Sequence, residues 1–410
     1  MNILVLGSMY EPDLGPSAPL FTMLSKGLVK LGHQVTVIAP VPHYPTGQVS
    51  KAYRGKWIWR SVESGVHVLR VRLPSVNRAK LVQRFFQFAC DQVITTLAGW
   101  NLKYDVILAI NPFLTVGIPF TFLGSLRRKP IVFSVQDLYP DVGIALGIFK
   151  SKFIISVVAY FERYCLQRST IVQIISNTFK PSLRALGVSD EKMALIYNWV
   201  DIDLIRPVSR NNLFAQENNL VDRFVVLYAG NIGLSQGLEQ VLDAAEQLAA
   251  HDSLLFLFVG DGAGLERLMA ETKKRKMANV RFLPFQPRER LAEVLACADI
   301  SLVTLRCGLG VNSVPSKALS NMASGRPIIV SVDEANELSD LVKQADMGLW
   351  IPPEDPSALS QAIIRLMQDQ RLRERLGQNG RVWAEQNHSP SGASKKFENL
   401  LLQAIASKNQ

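Results

Sequence analysis

Short apolar runs rich in β-branched residues alternate with helical patterns along the first half of the chain. Six of these runs predict β-strands, at residues 3–6, 34–38, 67–72, 106–110, 131–135 and 171–175. Strands that alternate with helices build parallel sheets, because the chain must cross over the sheet between one strand and the next. The first half is therefore predicted to be an α/β domain with a doubly wound parallel sheet.

The same scheme begins again after the middle of the chain. Apolar runs predict a second set of strands at residues 225–229, 254–259, 280–283, 300–303, 328–330 and 348–351. Between the first two of these strands, Leu238, Val241, Leu242, Ala245 and Leu248 recur at helical spacing and form one apolar face. A chain of 410 residues also exceeds what one core normally serves. We expect two Rossmann-like domains that face a cleft between them.

The domain boundaries follow from breaks in these patterns. The polar stretch 207–222 interrupts the periodicity, so we expect an N-terminal domain over 1–206 and a C-terminal domain over 207–385. Residues 386–410 form a helical segment that we expect to pack back on the N-terminal domain. At 352–357 a turn rich in proline is predicted to cap another helix.

The excess positive charge lies in the first half of the chain. Residues 1–205 carry 22 Lys and Arg against 12 Asp and Glu, whereas residues 206–410 carry 23 of each. Nucleic acid and anionic membranes both attract such a charge. The apolar stretches 81–100 and 113–126 accompany it and favour a membrane surface over nucleic acid. The alternative is that both stretches are core helices; the first holds polar residues and the second is too short to span a bilayer.

Cysteine use and the N-terminal residues indicate the compartment. The four cysteines, Cys90, Cys165, Cys297 and Cys307, form no C-x-x-C pair and no cluster with histidine that would suggest zinc. The apolar start, residues 2–6, lacks the basic region and cleavage site of a signal peptide and is predicted to be a strand. We expect a reduced cytoplasmic protein, peripheral on the inner face of the cell membrane.

Ligands of doubly wound sheets bind beyond the carboxyl ends of the strands. The loop after the first predicted strand, 7–17, has no G-x-G-x-x-G, which argues against a nicotinamide-dependent oxidoreductase. By contrast, the loop 230–237 is rich in glycine and opens into a helix, where backbone N–H groups and the helix dipole favour a phosphate. The alternative for this loop is a tight turn without a ligand.

Two further loops of the same predicted sheet support a phosphate site. Residues 260–264 leave the next strand, and Ser316 and Lys317 precede another helix, so that a hydroxyl and an ammonium converge on the same edge. The alternatives are that Asp261 caps a helix and that Lys317 is a solvated charge. The predicted donor-binding residues are Gly230, Asn231, Gly233, Gln236, Gly237, Gly260, Asp261, Gly262, Ser316 and Lys317.

Asp201 and Asp203 match the D-x-D pattern that chelates a divalent metal together with a sugar diphosphate. This pair lies near the end of the first predicted domain, away from the three loops. We expect no metal site.

With these loops placed, the chain resembles the GT-B glycosyltransferases of family GT4, and among them the colanic acid and exopolysaccharide fucosyltransferases and the related O-antigen fucosaminyltransferases. The motifs that carry the resemblance are Pro-His-Tyr-Pro-Thr-Gly at 42–47, Gln-Asp-Leu-Tyr-Pro-Asp at 136–141, Tyr-Asn-Trp-Val-Asp at 197–201, Tyr-Ala-Gly-Asn-Ile-Gly at 228–233, Gly-Asp-Gly at 260–262, Pro-Ser-Lys at 315–317 and Ala-Ser-Gly-Arg-Pro at 323–327.

The resemblance implies a retaining, metal-independent hexosyltransferase with no cofactor besides its co-substrate. A GDP- or UDP-linked sugar would bind the C-terminal domain, with Ser316 and Lys317 on the diphosphate. The acceptor, a lipid-linked oligosaccharide of exopolysaccharide, capsule or O-antigen synthesis, would bind the N-terminal domain. Gly15 and Pro16 would line the loop where acceptor and sugar meet, and Asp137, Gln136 and His43 would be the catalytic residues.

Three positions depart from the family pattern. Asn312 and Ser320 stand where many members have the two carboxylates of a Glu-x7-Glu motif, Gln136 stands where many have histidine, and Gln236 replaces a frequent basic residue. The departing diphosphate can itself take the acceptor proton, so the chemistry does not require a protein base. Fewer polar partners for the sugar suit a deoxy sugar such as fucose or fucosamine.

Two other functions are compatible with the same motifs. The missing carboxylates and histidine would suit a catalytically silent GT-B module that only binds. A nucleotide-sugar 2-epimerase shares the two-domain architecture but needs acid and base groups in its cleft, and among the five histidines only His43 is expected there.

Overall fold

The computed structural model describes residues 1–408 except 8, 14, 16, 44–46, 54, 77–80, 146–150 and 309–315. The chain divides into two compact units. The first unit comprises Met1–Asn198 and Pro390–Gln410, and the second comprises Trp199–Ser389. Within the described ranges, no helix is both long enough and apolar enough to cross a bilayer.

An eight-stranded sheet forms the centre of the first unit. Its strands are β1 (Asn2–Leu6), β2 (Gln34–Pro40), β3 (Ile58–Glu63), β4 (Val66–Val71), β5 (Val106–Ile110), β6 (Ile131–Val135), β7 (Ile171–Ile174) and β8 (Met193–Leu195). Their order in the sheet is β3-β4-β2-β1-β5-β6-β7-β8. All neighbours pair in parallel except β3, which is antiparallel to β4.

The six strands predicted for this unit are confirmed to within two residues. Every residue of β5 and β6 is buried, because helices cover both faces of a parallel sheet, and this explains the continuous apolar runs. The sequence did not reveal β3 and β8. Strand β3 lies at the edge with three residues exposed, and β8 has three half-buried residues, so neither carries a strong apolar pattern.

The helices of the first unit are α1 (Ala18–Lys30), α2 (Leu81–Gly99), α3 (Phe113–Pro119), α4 (Asp141–Ala145), α5 (Lys152–Arg168) and α6 (Lys180–Ala185). The stretch predicted as one helix over 113–126 is divided. Pro119 ends α3, and a π-helical segment, Phe120–Ser125, continues it. Proline inside a helix removes a backbone donor, which explains the change of winding.

The second unit contains a six-stranded parallel sheet. Its strands are β9 (Phe224–Ala229), β10 (Leu254–Val259), β11 (Val280–Leu283), β12 (Ile300–Thr304), β13 (Ile328–Ser331) and β14 (Gly348–Ile351). The order β11-β10-β9-β12-β13-β14 confirms the predicted doubly wound sheet. The order of the strands reverses between β9 and β12, and in such sheets the crevice at this switch point is where ligands bind.

The helices of the second unit are α7 (Leu213–Glu217), α8 (Glu239–Gln247), α9 (Leu265–Lys274), α10 (Leu291–Ala296), α11 (Lys317–Ala323), α12 (Glu337–Gln344), α13 (Pro356–Gln368) and α14 (Gln370–Asn387). Helix α8 buries the predicted apolar face, including Val241 and Ala245. At the predicted cap of α13, the Asp355 carboxylate accepts a hydrogen bond of 2.9 Å from the backbone N of Ala358.

The chain returns to the first unit with α15 (Pro390–Lys408), which packs against α1. Gly27 allows the close approach, since a Cβ there would lie 2.0 Å from Oγ of Ser394. Nε2 of His33 lies 2.7 Å from Oε1 of Glu398. The buried side chains of α15 include Phe397 and Leu401.

Candidate functional site

Two glycine loops meet at the carboxyl edge of the second sheet. The backbone N of Gly230, after β9, donates to the carbonyl of Val259 at the end of β10 at 2.9 Å. Gly260 has φ +152°, and a Cβ on it would lie 1.9 Å from the carbonyl oxygen of Gly230. The loops can lie this close only because Gly260 has no side chain.

The loop 230–237 is held in shape by backbone contacts with its neighbour. The N of Ile232 donates to the carbonyl of Asp261 at 2.8 Å, and the N of Gly264 donates to the carbonyl of Ile232 at 2.8 Å. A Cβ on Gly262 would lie 2.5 Å from Oδ1 of Asn231. The predicted residues Gly230, Asn231, Gly260, Asp261 and Gly262 are therefore brought together.

The end of β12 fixes the far side of the same loop. Thr304 Oγ1 donates to the carbonyl of Gln236 at 2.7 Å, and Arg306 Nε donates to the carbonyl of Leu234 at 2.6 Å. Arg306 also pairs with Glu239 of α8 at 3.0 Å. Gly237 follows with φ +59°, in the left-handed region that glycine tolerates. Sequence reasoning did not identify Thr304 or Arg306, whose partners lie about 70 residues away.

Lys317, the first residue of α11, places its ammonium beside the glycine loop. Nζ donates to Oη of Tyr228 at 2.5 Å and to Oε1 of Gln236, and lies 4.3 Å from the centre of the Tyr228 ring. Tyr228 Oη in turn donates to the carbonyl of Asn231 at 2.7 Å. Gln236 and Tyr228 therefore orient the ammonium of Lys317.

The ammonium of Lys317 has no carboxylate partner among the described residues. Burial lowers the pKa of Lys317 to about 7, because the charged form loses hydration that no anion replaces. Burial likewise raises the pKa of Tyr228 above its usual value, so that its hydroxyl stays neutral. A bound anion would supply the missing partner of Lys317.

Two of the predicted donor-binding residues, Ser316 and Asp261, have exposed side chains. Ser316 is exposed at the N-cap of α11, and its side chain makes no capping hydrogen bond. Asp261 does not cap a helix, since Gly264 is the N-cap of α9; Oδ1 of Asp261 accepts from the backbone N of Gly262 at 2.7 Å. Ser320 lies half-buried on α11, while Asn312 falls outside the described residues.

In the first unit, Asp13 joins two of the predicted residues. Its Oδ1 accepts from the backbone N of Gly15 at 3.2 Å, and its Oδ2 accepts from the backbone N of His43 at 3.1 Å and lies 3.2 Å from the Nδ1 of His43. The loops after β1 and β2 are therefore tied together by one buried carboxylate. Pro16 falls outside the described residues.

A second buried carboxylate, Asp91 of α2, acts on the same histidine. Burial raises the pKa of Asp91 to about 7, which the positive charge of His43 and a hydrogen bond from Thr95 partly oppose. For Asp13, burial acts in the same direction, but the hydrogen bonds from His43 and Gly15 outweigh it and hold its pKa below the usual value. Sequence reasoning identified neither of these two buried acids, Asp13 and Asp91.

Gln136 and Asp137 are held by Asn111, which follows β5 at the switch point of the first sheet. Asn111 Oδ1 accepts from the backbone N of Gln136 at 2.9 Å, and its Nδ2 donates to the carbonyl of Asp137 at 2.6 Å and to Oε1 of Glu162 at 3.3 Å. Burial raises the pKa of Asp137. Over the described part of the chain, no hydrogen bond links this pair to His43.

The side chain of Gln136 belongs to a polar network inside the first unit. Its Nε2 donates to Oγ of Ser134 at 2.9 Å, and Ser134 donates to Oε1 of Gln173 at 2.5 Å. Ser134 and Gln173 are fully buried. The network fixes the backbone that carries Asp137.

Asp201, the first residue of the D-x-D pair, is engaged by a backbone N–H and an arginine. Oδ1 of Asp201 accepts from the backbone N of Leu204 at 3.0 Å, and its Oδ2 lies 3.6 Å from Arg288. In the described part of the chain, no group of three His, Cys, Asp or Glu side chains is placed to hold a metal ion.

Two family models match the chain. The model described as "Glycosyl transferase 4-like domain" matches residues 17–199, and the model described as "Glycosyl transferases group 1" matches residues 209–383. Together they account for both units.

A relative and two solved structures extend this similarity over the whole chain. WcaI of Escherichia coli (strain K12), named as a colanic acid biosynthesis glycosyl transferase, is 28% identical over 373 residues, covering 88% of this chain and 91% of that protein. Sucrose-phosphate synthase of Thermosynechococcus elongatus matches with a TM-score of 0.77 at 20% identity, covering 99% of this chain and 100% of that one. HepE of Anabaena in complex with UDP-glucose matches with a TM-score of 0.72 at 17% identity, covering 98% and 100%.

Proposed function

Since this chain belongs to the GT-B glycosyltransferases of family GT4, we propose that it moves a fucose- or fucosamine-like hexose from a GDP- or UDP-linked donor to a lipid-linked oligosaccharide. The product would serve exopolysaccharide, capsule or O-antigen synthesis, in line with the colanic acid role in the name of WcaI. The observation that carries the proposal is the ammonium of Lys317, which lies beside two joined glycine loops without an anionic partner in the described structure.

In the proposed reaction, Lys317 and the backbone N–H groups of the glycine loop stabilise the departing diphosphate. Breaking the bond between the sugar and the diphosphate of the donor places negative charge on the diphosphate. Preorganised cations and N–H donors lower the barrier where that charge develops. Lys317 would supply this stabilisation without a metal, and the leaving diphosphate would take the acceptor proton. Attack from the same face then retains the anomeric configuration.

Ser320 supports a deoxy sugar as the donor group. It replaces a carboxylate that would bind sugar hydroxyls, and a site with fewer buried polar groups loses less when a hydroxyl is absent. His43 and Asp137 would serve the acceptor side, positioned by Asp13 and Asn111 respectively.

The test is a panel of GDP-, UDP- and dTDP-sugars, each measured for protection against thermal unfolding. A ligand that binds only the folded protein stabilises it with the logarithm of its concentration over its Kd. Lys317→Ala should abolish the shift, whereas Lys274→Ala, which removes an exposed lysine of the same unit, should preserve it. An unchanged shift in Lys317→Ala would place the diphosphate elsewhere.

Turnover separates the remaining alternatives. A silent binding module would be stabilised by a nucleotide sugar and release no nucleoside diphosphate, and an epimerase would convert the sugar without an acceptor. The proposal expects that nucleoside diphosphate is released only when an acceptor is present and that EDTA does not change the rate. The product should show the donor's anomeric configuration by NMR. The preference for fucose-type sugars would be abandoned if GDP-mannose or UDP-glucose reacted as fast.

We also propose that the first unit docks on an anionic membrane surface. Helix α2 buries polar side chains, Gln87, Asp91 and Thr95, on one face. Gln92 fixes this polar side to α3, since its Nε2 donates to the carbonyl of Leu114 at 3.0 Å and its Oε1 accepts from the N of Ile118 at 2.8 Å. The helix therefore turns apolar side chains outward, the reverse of an ordinary surface helix.

The exposed side chains of three neighbouring segments define this apolar helix surface: Phe86, Val93 and Leu97 along α2 with Trp100 directly after it, Phe122 and Leu126 in and after the π-helical segment, and Phe153, Val157, Tyr160 and Phe161 on α5. Arg127 borders it, with Cζ 4.7 Å from the centre of the Trp100 ring, and Arg128 and Lys129 follow. An apolar surface edged by cations matches the interface of an anionic bilayer. A lipid-linked acceptor would be presented there.

A further inference from the structure

The second unit has a cavity of about 460 Å³ at the edge of the sheet opposite the glycine loops. Asp299 precedes β12, and Gly325, Arg326 and Pro327 precede β13, so that the cavity lies at the amino ends of these strands. Strands of four to six residues, each rising about 3.3 Å, separate it from the carboxyl edge by roughly 15 Å. The cavity is therefore distinct from the proposed donor site.

Most of the charged side chains that line the cavity are basic. Four arginines, Arg210, Arg326, Arg373 and Arg381, face two acids, Asp299 and Glu374. Arg210 neutralises Asp299, since its Nη2 lies 2.8 Å from Oδ2 and its Nε 3.1 Å from Oδ1. Glu374 lies at the exposed rim and accepts from Gln370 at 2.8 Å. The lining therefore keeps an excess of positive charge.

Two of these arginines donate to backbone carbonyls of the protein, Arg373 through Nη1 and Arg381 through both Nη atoms. Nη1 of Arg373 donates to the carbonyls of Leu366 and Met367 near the end of α13. Arg381 donates to the carbonyls of Ile202, Ile205 and Ala323 and pairs with Glu385 at 2.6 Å. These two guanidinium groups brace the walls of the cavity.

Arg326 has donors to spare. Its Nε is buried and has no hydrogen-bond partner in the described structure, and its Nη2 makes one long contact of 3.4 Å with the carbonyl of Val208. Burial lowers the pKa of Arg326, an effect that the nearby Asp299 partly offsets. Nη1 of Arg326 makes no hydrogen bond in the described structure, so the edge formed by Nη1 and Nη2 is the planar fork that can bind two oxygens of an anion.

We propose that this cavity binds a phosphate group of a small molecule, with Arg326 as its principal ligand. The guanidinium fork matches two oxygens of a phosphate, and the volume lies within the range of small-molecule pockets. The neutral side chains of Gln370 and Gln378 on α14 also line the cavity and add no negative charge to it. The proposal does not depend on the sugar, the acceptor or the activity of the chain.

Inorganic phosphate is the probe, and the midpoint of thermal unfolding is the readout. The Lys317→Ala chain removes the competing anion site, and sodium chloride at equal ionic strength corrects for screening. Phosphate should still stabilise this variant, and adding Arg326→Gln should weaken its apparent affinity at least about tenfold. Equal responses to phosphate and chloride, or equal affinity with and without Arg326, would overturn the proposal.

Two variants that change the charge of the exposed rim in opposite directions test the proposal if Arg326→Gln fails to fold. Glu374→Gln removes a negative charge and should tighten phosphate binding roughly twofold to fivefold, while Gln378→Glu adds one and should weaken it by a similar factor. Both changes keep the length of an exposed side chain on α14. Affinities that do not move in these opposite directions would count against the cavity.

Discussion

The ammonium nitrogen of Lys317 lies 2.5 Å from the hydroxyl oxygen of Tyr228, a residue 89 positions earlier in the chain. The phenol stays neutral because burial raises its pKa, so it orients the lysine without neutralising it. The site thus keeps a positioned cation whose charge is costly in the empty protein and favourable once an anion is bound.

Donor affinity should therefore depend on pH. The pKa of Lys317 is about 7 in the free protein, and a bound diphosphate would raise it, so binding above pH 7 must take up a proton. We expect affinity to be level below pH 7 and to fall by up to about tenfold per pH unit above it. Calorimetry with the best nucleotide sugar, in buffers of different ionisation enthalpy, measures the proton uptake. Tyr228→Phe should weaken binding modestly; a flat profile would contradict the mechanism.

Stability without ligand gives an independent measure of the same lysine. Its pKa is about 7 when folded and about 10.4 when unfolded, so the unfolded chain binds more protons between these values. The contribution of Lys317 to the free energy of unfolding should therefore rise from pH 7 to pH 10. Urea unfolding of the wild type and of Lys317→Met measures the difference between their free energies of unfolding. This difference should narrow as pH rises through this range.

Asp13→Asn should destabilise the first unit by about 1.5–3 kcal/mol at pH 7, because an amide donor would replace a carboxylate that accepts from Gly15 and His43. The folded pKa of Asp13 is lowered, so this contribution is present above the unfolded value and is lost as pH falls through the folded one. Urea unfolding should show the difference from wild type shrinking towards pH 3. Asp190→Asn, at an exposed ion pair, should change stability little.

Gly260→Ala should cost about 3 kcal/mol and abolish donor binding. The new Cβ would lie 1.9 Å from the backbone carbonyl of Gly230, so the two glycine loops must separate. Gly308→Ala is the matched control, because Gly308 also has a positive φ but no atom within 4 Å of the added Cβ. It should cost only about 1 kcal/mol for backbone strain. Equal losses measured by chemical unfolding would show that crowding at Gly260 is unimportant.

Leu97→Glu should weaken binding to vesicles of anionic phospholipid at least about tenfold, since it removes a leucine from the apolar helix surface and adds a repelled charge. Leu213→Glu, at a leucine of similar exposure on α7 of the second unit, is the control and should bind like wild type. Vesicle sedimentation should fall as salt rises. Indifference to lipid charge and to salt would refute membrane docking.

Local pattern was sufficient to predict the twelve principal strands and both doubly wound sheets. Buried parallel strands are continuous apolar runs in the sequence. The loop 230–237 is recognisable by its glycines, which are needed where two backbones approach too closely for a side chain. Each of these signals lies within a few consecutive residues, so it can be recognised in one sequence without knowledge of the fold. The edge strand β3 was not predicted, because its exposed residues do not form a continuous apolar run.

Tertiary structure alone decided which groups meet. Asp13 and His43 are 30 residues apart, Lys317 and Tyr228 are 89 apart, and the polar face of α2 could be recognised as buried only once α3 was packed against it. Whether a lysine is a solvated charge or a half-buried cation without an anion depends on what surrounds it, because burial and partners set both its charge and its orientation. The sequence thus determined the two sheets and the candidate loops, and the packing of distant segments determined the chemistry of the loops.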